Sequence, residues 1–272
     1  MPLEPINLGL RMTSGVTYDA DAQAYFTAAG ITDATQKAAV NTFILGLKTN
    51  SLWSSFYALY PFVGGTSGAH AVNAKSPGTY DITWVNSPTH NANGVTGNGT
   101  TNYGYTTGLS GTQVAYTCGV SVYNRTTKSS STGVQKRLIG NATVAGLKLF
   151  HVGYTDNIGI EQNNGVLGAA ATLAGDGNST QRTGLLSVNR TGATTFKGYD
   201  DGVEYLTNST SDTNAPHTVP FGILAANANG SYANHAPENL ALAAVHTAHD
   251  ATQAANFGTL VTAFQTALSR NV

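Results

Sequence analysis

TTFKGYDDGVEYLT, residues 194–207, reads as two short strands around the pair Asp201-Gly202. A two-residue hairpin turn of the type that matches strand twist needs φ > 0 at both central positions, and Asp-Gly tolerates that. The strands are Thr194–Tyr199 and Val203–Thr207. Working outward, Leu185–Asn189 precedes them, and Val219–Ala225 and Leu240–Val245 follow. Further upstream, Tyr80–Val85 is strand-like. Gln113–Tyr123 places Val114, Tyr116, Cys118, Val120 and Val122 on one face by alternation. Leu147–Tyr154 and Asn157–Gln162 are joined by a turn near Asp156. Many short strands separated by Gly, Asn, Ser and Thr predict a β-sandwich or barrel from Gly65 to about Val245.

Composition agrees. Of 272 residues only 10% are charged, and the formal net charge is −1. The solubilising work falls to 38 Thr, 18 Ser, 24 Asn and 31 Gly, residues that suit strands and turns rather than long surface helices. So few basic residues speak against a nucleic-acid or polybasic membrane surface. No apolar run approaches the roughly 18 residues of a membrane helix. The first residues lack a charged n-region followed by an apolar stretch, so synthesis in a cytoplasm without a signal peptide is expected. The lone Cys118 excludes an internal disulfide framework.

Helices frame the strands. Residues 1–18 read as an arm, 19–65 as a helical lead-in and 66–272 as the sandwich with a closing helix. Asp19 or Asp21 caps the first helix, which Gly30 ends. Asp33 and Gln36 form a capping-box pattern for the second, where Val40, Phe43, Ile44 and Leu47 share a face. Leu52–Tyr60 reads as one or two further helical turns ended by Pro61 and Gly64-Gly65. Asp250 with Gln253 opens the last helix, with Phe257, Leu260, Val261, Phe264 and Leu268 on one side.

Catalytic patterns are sparse. There is no G-x-S-x-G elbow and no glycine-rich phosphate cradle at a strand-to-helix junction. Cys118, among apolar neighbours, reads as a buried structural thiol. A glycosidase needs two carboxylates about 5–10 Å apart; Glu161 stands alone in its strand, and of Asp200, Asp201 and Glu204 one belongs to a turn. His246, His249 and Asp250 have loose metal-ligand spacing. Ca²⁺ could use Asp176, Asp200 or Asp201 with carbonyls, and no other cofactor is expected. The loop NGTTNYGYTTG, residues 98–108, sets Tyr103 and Tyr105 among amides and hydroxyls, including Asn98 and Asn102. Such a loop suits sugar stacking or a protein contact. Tyr232 and His235 lie in a second loop of the same texture, 227–239.

The stretch 19–65 leads into LWSSFYALYPFVGGT, Leu52–Thr66, with His70 soon after and GVTGNGTTNY at Gly94–Tyr103. These features resemble a segment of tailed-phage virion proteins. LALAAVHTAHDATQAANFGTLVTAFQTAL, residues 240–268, is similar to the closing strand and helix of laminin-G-like, concanavalin A-like domains. The resemblance covers most of the chain from Asp19 and departs from the pattern between Ala74 and Thr89. It implies a concanavalin A-like jelly roll of two antiparallel sheets, with short N-terminal helices and a C-terminal helix packed on it. It also implies a non-enzymatic virion component: capsid decoration, head fibre or tail protein. Expected partners are other virion proteins, further copies of itself and a host surface glycan. The alternatives are a soluble carbohydrate-binding module and a glycoside hydrolase on the same fold. Asn98, Asn102, Tyr103, Tyr105 and Tyr232 are the candidate glycan or partner residues, and the arm Met1–Thr17 is the candidate attachment segment.

Overall fold

The computed structural model describes residues 17–114, 117–126, 136–142, 149–154, 160–162, 171–172, 183–209 and 218–272. The arm through residue 16, Tyr116, the turn at Asp156 and Asp176 lie outside them. In chain order the elements are α1 (Ala20–Ala29), α2 (Ala34–Thr49), β1 (Phe56–Tyr60), α3 (Ser67–Ala71), β2 (Ile82–Val85), β3 (Thr89–Asn91), β4 (Gly94–Thr96), β5 (Tyr103–Ser110) and β6 (Cys118–Asn124). They continue as β7 (Lys136–Ala142), β8 (Leu149–Tyr154), β9 (Ile160–Gln162), β10 (Ala171–Thr172), β11 (Gly184–Gly192), β12 (Thr195–Asp200) and β13 (Val203–Asn208). The last are β14 (Pro220–Ile223), β15 (Ala226–Ala228), β16 (Ser231–Ala233), β17 (Asn239–Thr247) and α4 (Ala251–Ala267).

Two sheets form the expected sandwich. One runs β13-β12-β11-β6-β17-β4-β3, with β1 also paired to β17; the other runs β10-β9-β8-β7-β14-β5-β2. The pairings are antiparallel except β15 with β7, which run parallel. The Asp201-Gly202 turn adopts φ of 48° and 85°, as the sequence requires for that hairpin.

The central strands of the first sheet, β6, β11 and β17, are buried on both faces. Val120, Val122, Leu186, Val188, Ala243 and Val245 meet Leu138, Ile139, Phe221 and Ile223 of the second sheet. Tyr123, Leu185, Leu242 and Ala244 meet Phe26, Val40, Phe43, Ile44, Phe257, Val261 and Phe264 of the helices. The molecule therefore has three layers: helices, first sheet, second sheet. Neither α1 (10 residues) nor α2 (16 residues) would hold in water without that partner surface.

Local chemistry sets the helix boundaries. Asp19 caps α1 by accepting from Asp21 N–H, and Gly30 ends it in the left-handed region. Asp250 and Gln253 form a complete capping box at α4. Only half of the Asp33–Gln36 box forms. Asp33 accepts from Gln36 N–H, but the Gln36 amide oxygen accepts instead from Gly64 N–H at 3.0 Å.

Two expectations are corrected. Leu52–Tyr60 is not helix: a single 3-10 turn, Trp53–Ser55, leads into β1. Phe56 and Leu59 point to the helices while Ala58 and Tyr60 point between the sheets. A bulge between Phe56 and Ala58 obscures that alternation. The strand expected from Gln113 starts at Cys118, because Ser110–Gln113 is a turn in which Gln113 N–H donates to Ser110 O.

The Leu52–Thr66 signature is the knot that joins the layers. Arg270 is 1% exposed and donates from Nη1 to Phe62 O at 2.8 Å and from Nη2 to Pro61 O and Ala241 O at 3.2 Å. Its Nε donates to Gln265 Oε1. Gly64 sits at φ 91°, where a Cβ would lie 2.6 Å from Ala69 Cβ and 2.8 Å from Ile31 Cδ1. This glycine is fixed both by its backbone and by its lack of a side chain.

Candidate functional site

The aromatic residues singled out in the two loops converge. Tyr103 and Tyr105 stand two apart on β5 and so face the same way. The hairpin β15–β16 brings Tyr232 against them: its ring stacks on Tyr103 with centroids 4.1 Å apart and lies 5.7 Å from Tyr105. His235 closes one end, 5.6 Å from Tyr103. All four side chains are half-buried, so each ring keeps part of its surface open to solvent. The result is a ledge of three phenols and one imidazole on one side of the second sheet.

Hydrogen bonds fix this ledge. Asn227 is 1% exposed and donates from Nδ2 to the Tyr232 hydroxyl at 3.0 Å and to Pro220 O; its Oδ1 accepts from Gly230 N–H. One amide thus orients the phenol and closes the β15–β16 turn. Burial beside Tyr103 and Tyr105 pushes the Tyr232 hydroxyl well above the usual phenol range, so it stays protonated and can donate. Glycine at 104, between the two tyrosines, faces the opposite way and leaves room for Trp84, whose ring atoms would lie 2.6 Å from a Cβ there.

Asn98 and Asn102 serve the loop rather than the ledge. Asn98 Oδ1 accepts from the backbone N–H groups of Thr100, Thr101 and Asn102. Asn102 is 8% exposed and donates from Nδ2 to Ser87 O at 3.1 Å. Both make an Asx-type scaffold that delivers Tyr103 to the start of β5. The site residue that sequence reasoning underweighted is Asn227. Its signal was its place three residues before Gly230, the spacing of a side-chain-closed turn.

The other candidates are occupied structurally. Cys118 is fully buried and its thiol is pushed up to about 12 by burial. His246 and His249 stack at 4.0 Å, and both are buried on the helix side of the first sheet against Phe56 and Phe257. His246 Nδ1 donates to Thr247 O at 2.7 Å, which leaves Nε2 to accept from Ser121, while Ser121 shares a 2.7 Å hydrogen bond with Ser187. Asp201 accepts from Leu185 N–H, and Glu204 pairs with Lys197 at 2.6 Å. Among the described residues no group of three or more His, Cys, Asp or Glu is placed to hold a metal ion. Among the described residues no helix is long and apolar enough to cross a membrane.

No family model and no curated protein matches this chain. Solved structures do. A Trypanosoma rangeli sialidase in complex with sialic acid aligns with a TM-score of 0.54 at 12% identity over 75% of this chain and 33% of its own. A structure of botulinum neurotoxin type C, described by its cell entry through two ganglioside molecules, aligns at 0.54 and 10% identity over 78% of this chain and 53% of its own. A mutant of HCR/D aligns at 0.57 and 9% identity over 77% and 53%. The chain thus spans from one third to about half of the length of these structures, and at such identities the likeness is one of fold: a jelly-roll-like β-sandwich with helices at both ends.

Proposed function

We propose that this chain is a non-enzymatic structural protein on the exterior of a tailed-phage particle, and that its sandwich presents a glycan-contacting ledge. The observation that carries the binding part is the convergence of Tyr103, Tyr105, Tyr232 and His235. Half-exposed phenol faces beside hydroxyls and amides match the apolar face and polar rim of a sugar ring. The sandwich neighbours carrying sialic acid or described by ganglioside contact support the same class of ligand. The particle part rests on the resemblance carried by Leu52–Thr66.

The non-enzymatic part is supported by the structural work of five of the fourteen acids. Asp19, Asp33 and Asp250 cap helices. Asp81 accepts from Asn73 and Gly78 N–H, and Asp201 from Leu185 N–H. A glycoside hydrolase on this fold remains the competing reading, since a sialidase shares the sandwich.

A glycan array probed with wild-type protein and with Tyr105→Ala tests the ledge. Tyr105 makes the looser of the two contacts with Tyr232, so its loss should reduce binding at least tenfold with little change in stability. No binding by the wild type to any glycan would overturn the ledge reading. Release of free sugar from a bound glycan would favour the hydrolase. Immunogold labelling of intact and opened particles tests the location: label on heads or tails supports the particle reading, and no label in either overturns it.

A further inference from the structure

Given the glycan reading of the ledge, on which this rests, we infer that the ledge is one end of a longer track along β5, and that its ligand is a neutral oligosaccharide read beyond the first ring by Thr83 and Thr107. Register puts the track together. In the β2–β5 pair Thr83 stands opposite Tyr105 and Val85 opposite Tyr103, and directly opposed residues share a face. Alternation sends Ile82, Trp84 and Thr106 to the inner face, where Ile82 belongs to the inter-sheet core and Trp84 packs against it. Thr83, Val85, Tyr103, Tyr105 and Thr107 are left on the outer face. Thr83 and Thr107 are exposed, and the other three are half-buried.

Gly222 shapes one wall. It stands opposite Tyr105 on β14, and a Cβ there would lie 2.4 Å from Ala225 O. The missing side chain lets the chain fold back over this position, and the β15–β16 hairpin then carries Tyr232 to the tyrosines. The track thus has Tyr232 as its wall on the β14 side. Four rises of about 3.4 Å set Tyr103 and Thr107 about 14 Å apart, the length of about two to three linked pyranose rings.

Charge decides the class of sugar. None of the track or ledge residues is Lys, Arg, Asp or Glu. The charged residues that flank them are already held. Asp81 Oδ1 accepts from Asn73 and Gly78 N–H, and its carbonyl accepts from Thr107 N–H. Lys136 Nζ donates to Gly99 O at 2.9 Å, in the loop that leads to Tyr103. An anionic sugar seated against Tyr105 and the threonines would give up water for phenols and hydroxyls without a cation, a cost that neutral hydroxyls escape. The hydroxyls of Thr83 and Thr107 share one hydrogen bond of 2.8 Å. One O–H makes that bond, so the other is left to donate outward, and both oxygens keep lone pairs to accept. The pair matches a sugar hydroxyl, which also donates and accepts.

An array of neutral mono-, di- and trisaccharides tests the track, each trisaccharide set beside a counterpart that ends in a sialic or uronic acid. It is probed with the wild type, with Tyr105→Ala and with Thr83→Val/Thr107→Val. Valine keeps the shape of threonine at two exposed strand positions, and far-UV circular dichroism confirms that the variants keep their fold. The wild type should bind neutral trisaccharides about tenfold or more tighter than their monosaccharides, and tighter than the acidic counterparts. In Thr83→Val/Thr107→Val that gain with length should fall to about threefold or less. Equal binding of mono- and trisaccharides by the wild type, a gain that survives in Thr83→Val/Thr107→Val, or a preference for the acidic counterparts overturns the track. Binding that Tyr105→Ala weakens in the same experiment then leaves the ledge standing. Binding of the wild type to no sugar, neutral or acidic, overturns the ledge and the track with it.

Discussion

At the scale of single residues, the buried cations and imidazoles decide how this protein responds to pH. Burial lowers His70 to about 3, His246 to about 4 and His249 to about 2; the last two also stack on each other. Each is neutral when folded and titrates near 6.5 when unfolded. The unfolded state therefore binds more protons below about pH 6.5, and stability is present above that value and lost as pH falls toward the folded values. Each histidine contributes roughly 1.4 kcal/mol per pH unit in that window. Urea titrations at pH 7.5 and pH 5 should show a loss of several kcal/mol. An unchanged midpoint would mean that these imidazoles are not held neutral. Arg270 behaves differently. Burial lowers it only to about 10, so it is charged at neutral pH, and its contacts are with carbonyls and the Gln265 amide. Arg270→Met leaves the carbonyls of Pro61 and Phe62 buried without those donors and should cost about 3 kcal/mol or more. Retained stability would show that water or relaxation replaces the clamp. None of this was legible in the sequence. Arg270 is one basic residue near the C-terminus, and only the packed helix shows that its targets are some 200 positions away.

At the scale of elements, sequence and structure agree where the signal is local and part where it is not. The Asp201-Gly202 hairpin and the Asp250–Gln253 capping box depend on neighbouring residues, so the pattern alone located them. β1 did not announce itself. Its aromatic run matches helix and strand about equally, and it becomes a strand because β17 offers it backbone partners from Phe56 to Tyr60. The tyrosine ledge was half legible: both loops drew notice for their composition, but their meeting is a property of the sheet. The contact of the hairpin with α4 yields a prediction that sequence could not. Gly258, inside α4, lies so close that a Cβ would sit 2.3 Å from Asp201 O. Gly202 answers it: a Cβ there would lie 2.7 Å from Ala254 O, at φ 85°. Glycine in a helix interior ordinarily costs about 1 kcal/mol relative to alanine, so Gly258→Ala would stabilise an isolated helix. In this protein the steric term wins, and the substitution should destabilise by about 2 kcal/mol or more. A raised melting temperature for Gly258→Ala would show that the hairpin can move aside.

At the scale of the whole molecule, the shared first sheet determines whether the helices and the sandwich are one folding unit or two. Its strands contribute side chains to both cores: Val122 and Leu186 to one, Tyr123 and Leu185 to the other, at successive positions of β6 and β11. Losing the helices would expose one whole face of that sheet, including Leu242 and Ala244, and would break the Arg270 contacts to Pro61 and Phe62. Losing the second sheet would expose the other face. Neither core can therefore open at a small fraction of the total cost, which is the condition for two-state behaviour. The two tryptophans report the two sides separately. Trp53 packs in the helix-side core, with Lys75 Nζ 4.6 Å above its ring. Trp84 lies against the inter-sheet core, stacks edge-on with His90 at 4.9 Å and donates from Nε1 to Ser67 O. In Trp84→Phe the fluorescence follows Trp53 alone, and in Trp53→Phe it follows Trp84 alone. Normalised to the stability of each variant by circular dichroism, both curves should coincide with the loss of strand signal. A Trp53 transition that precedes the strand signal would mean that the helical layer detaches first, and that the contacts at Arg270 and Gly64 are weaker than their burial implies.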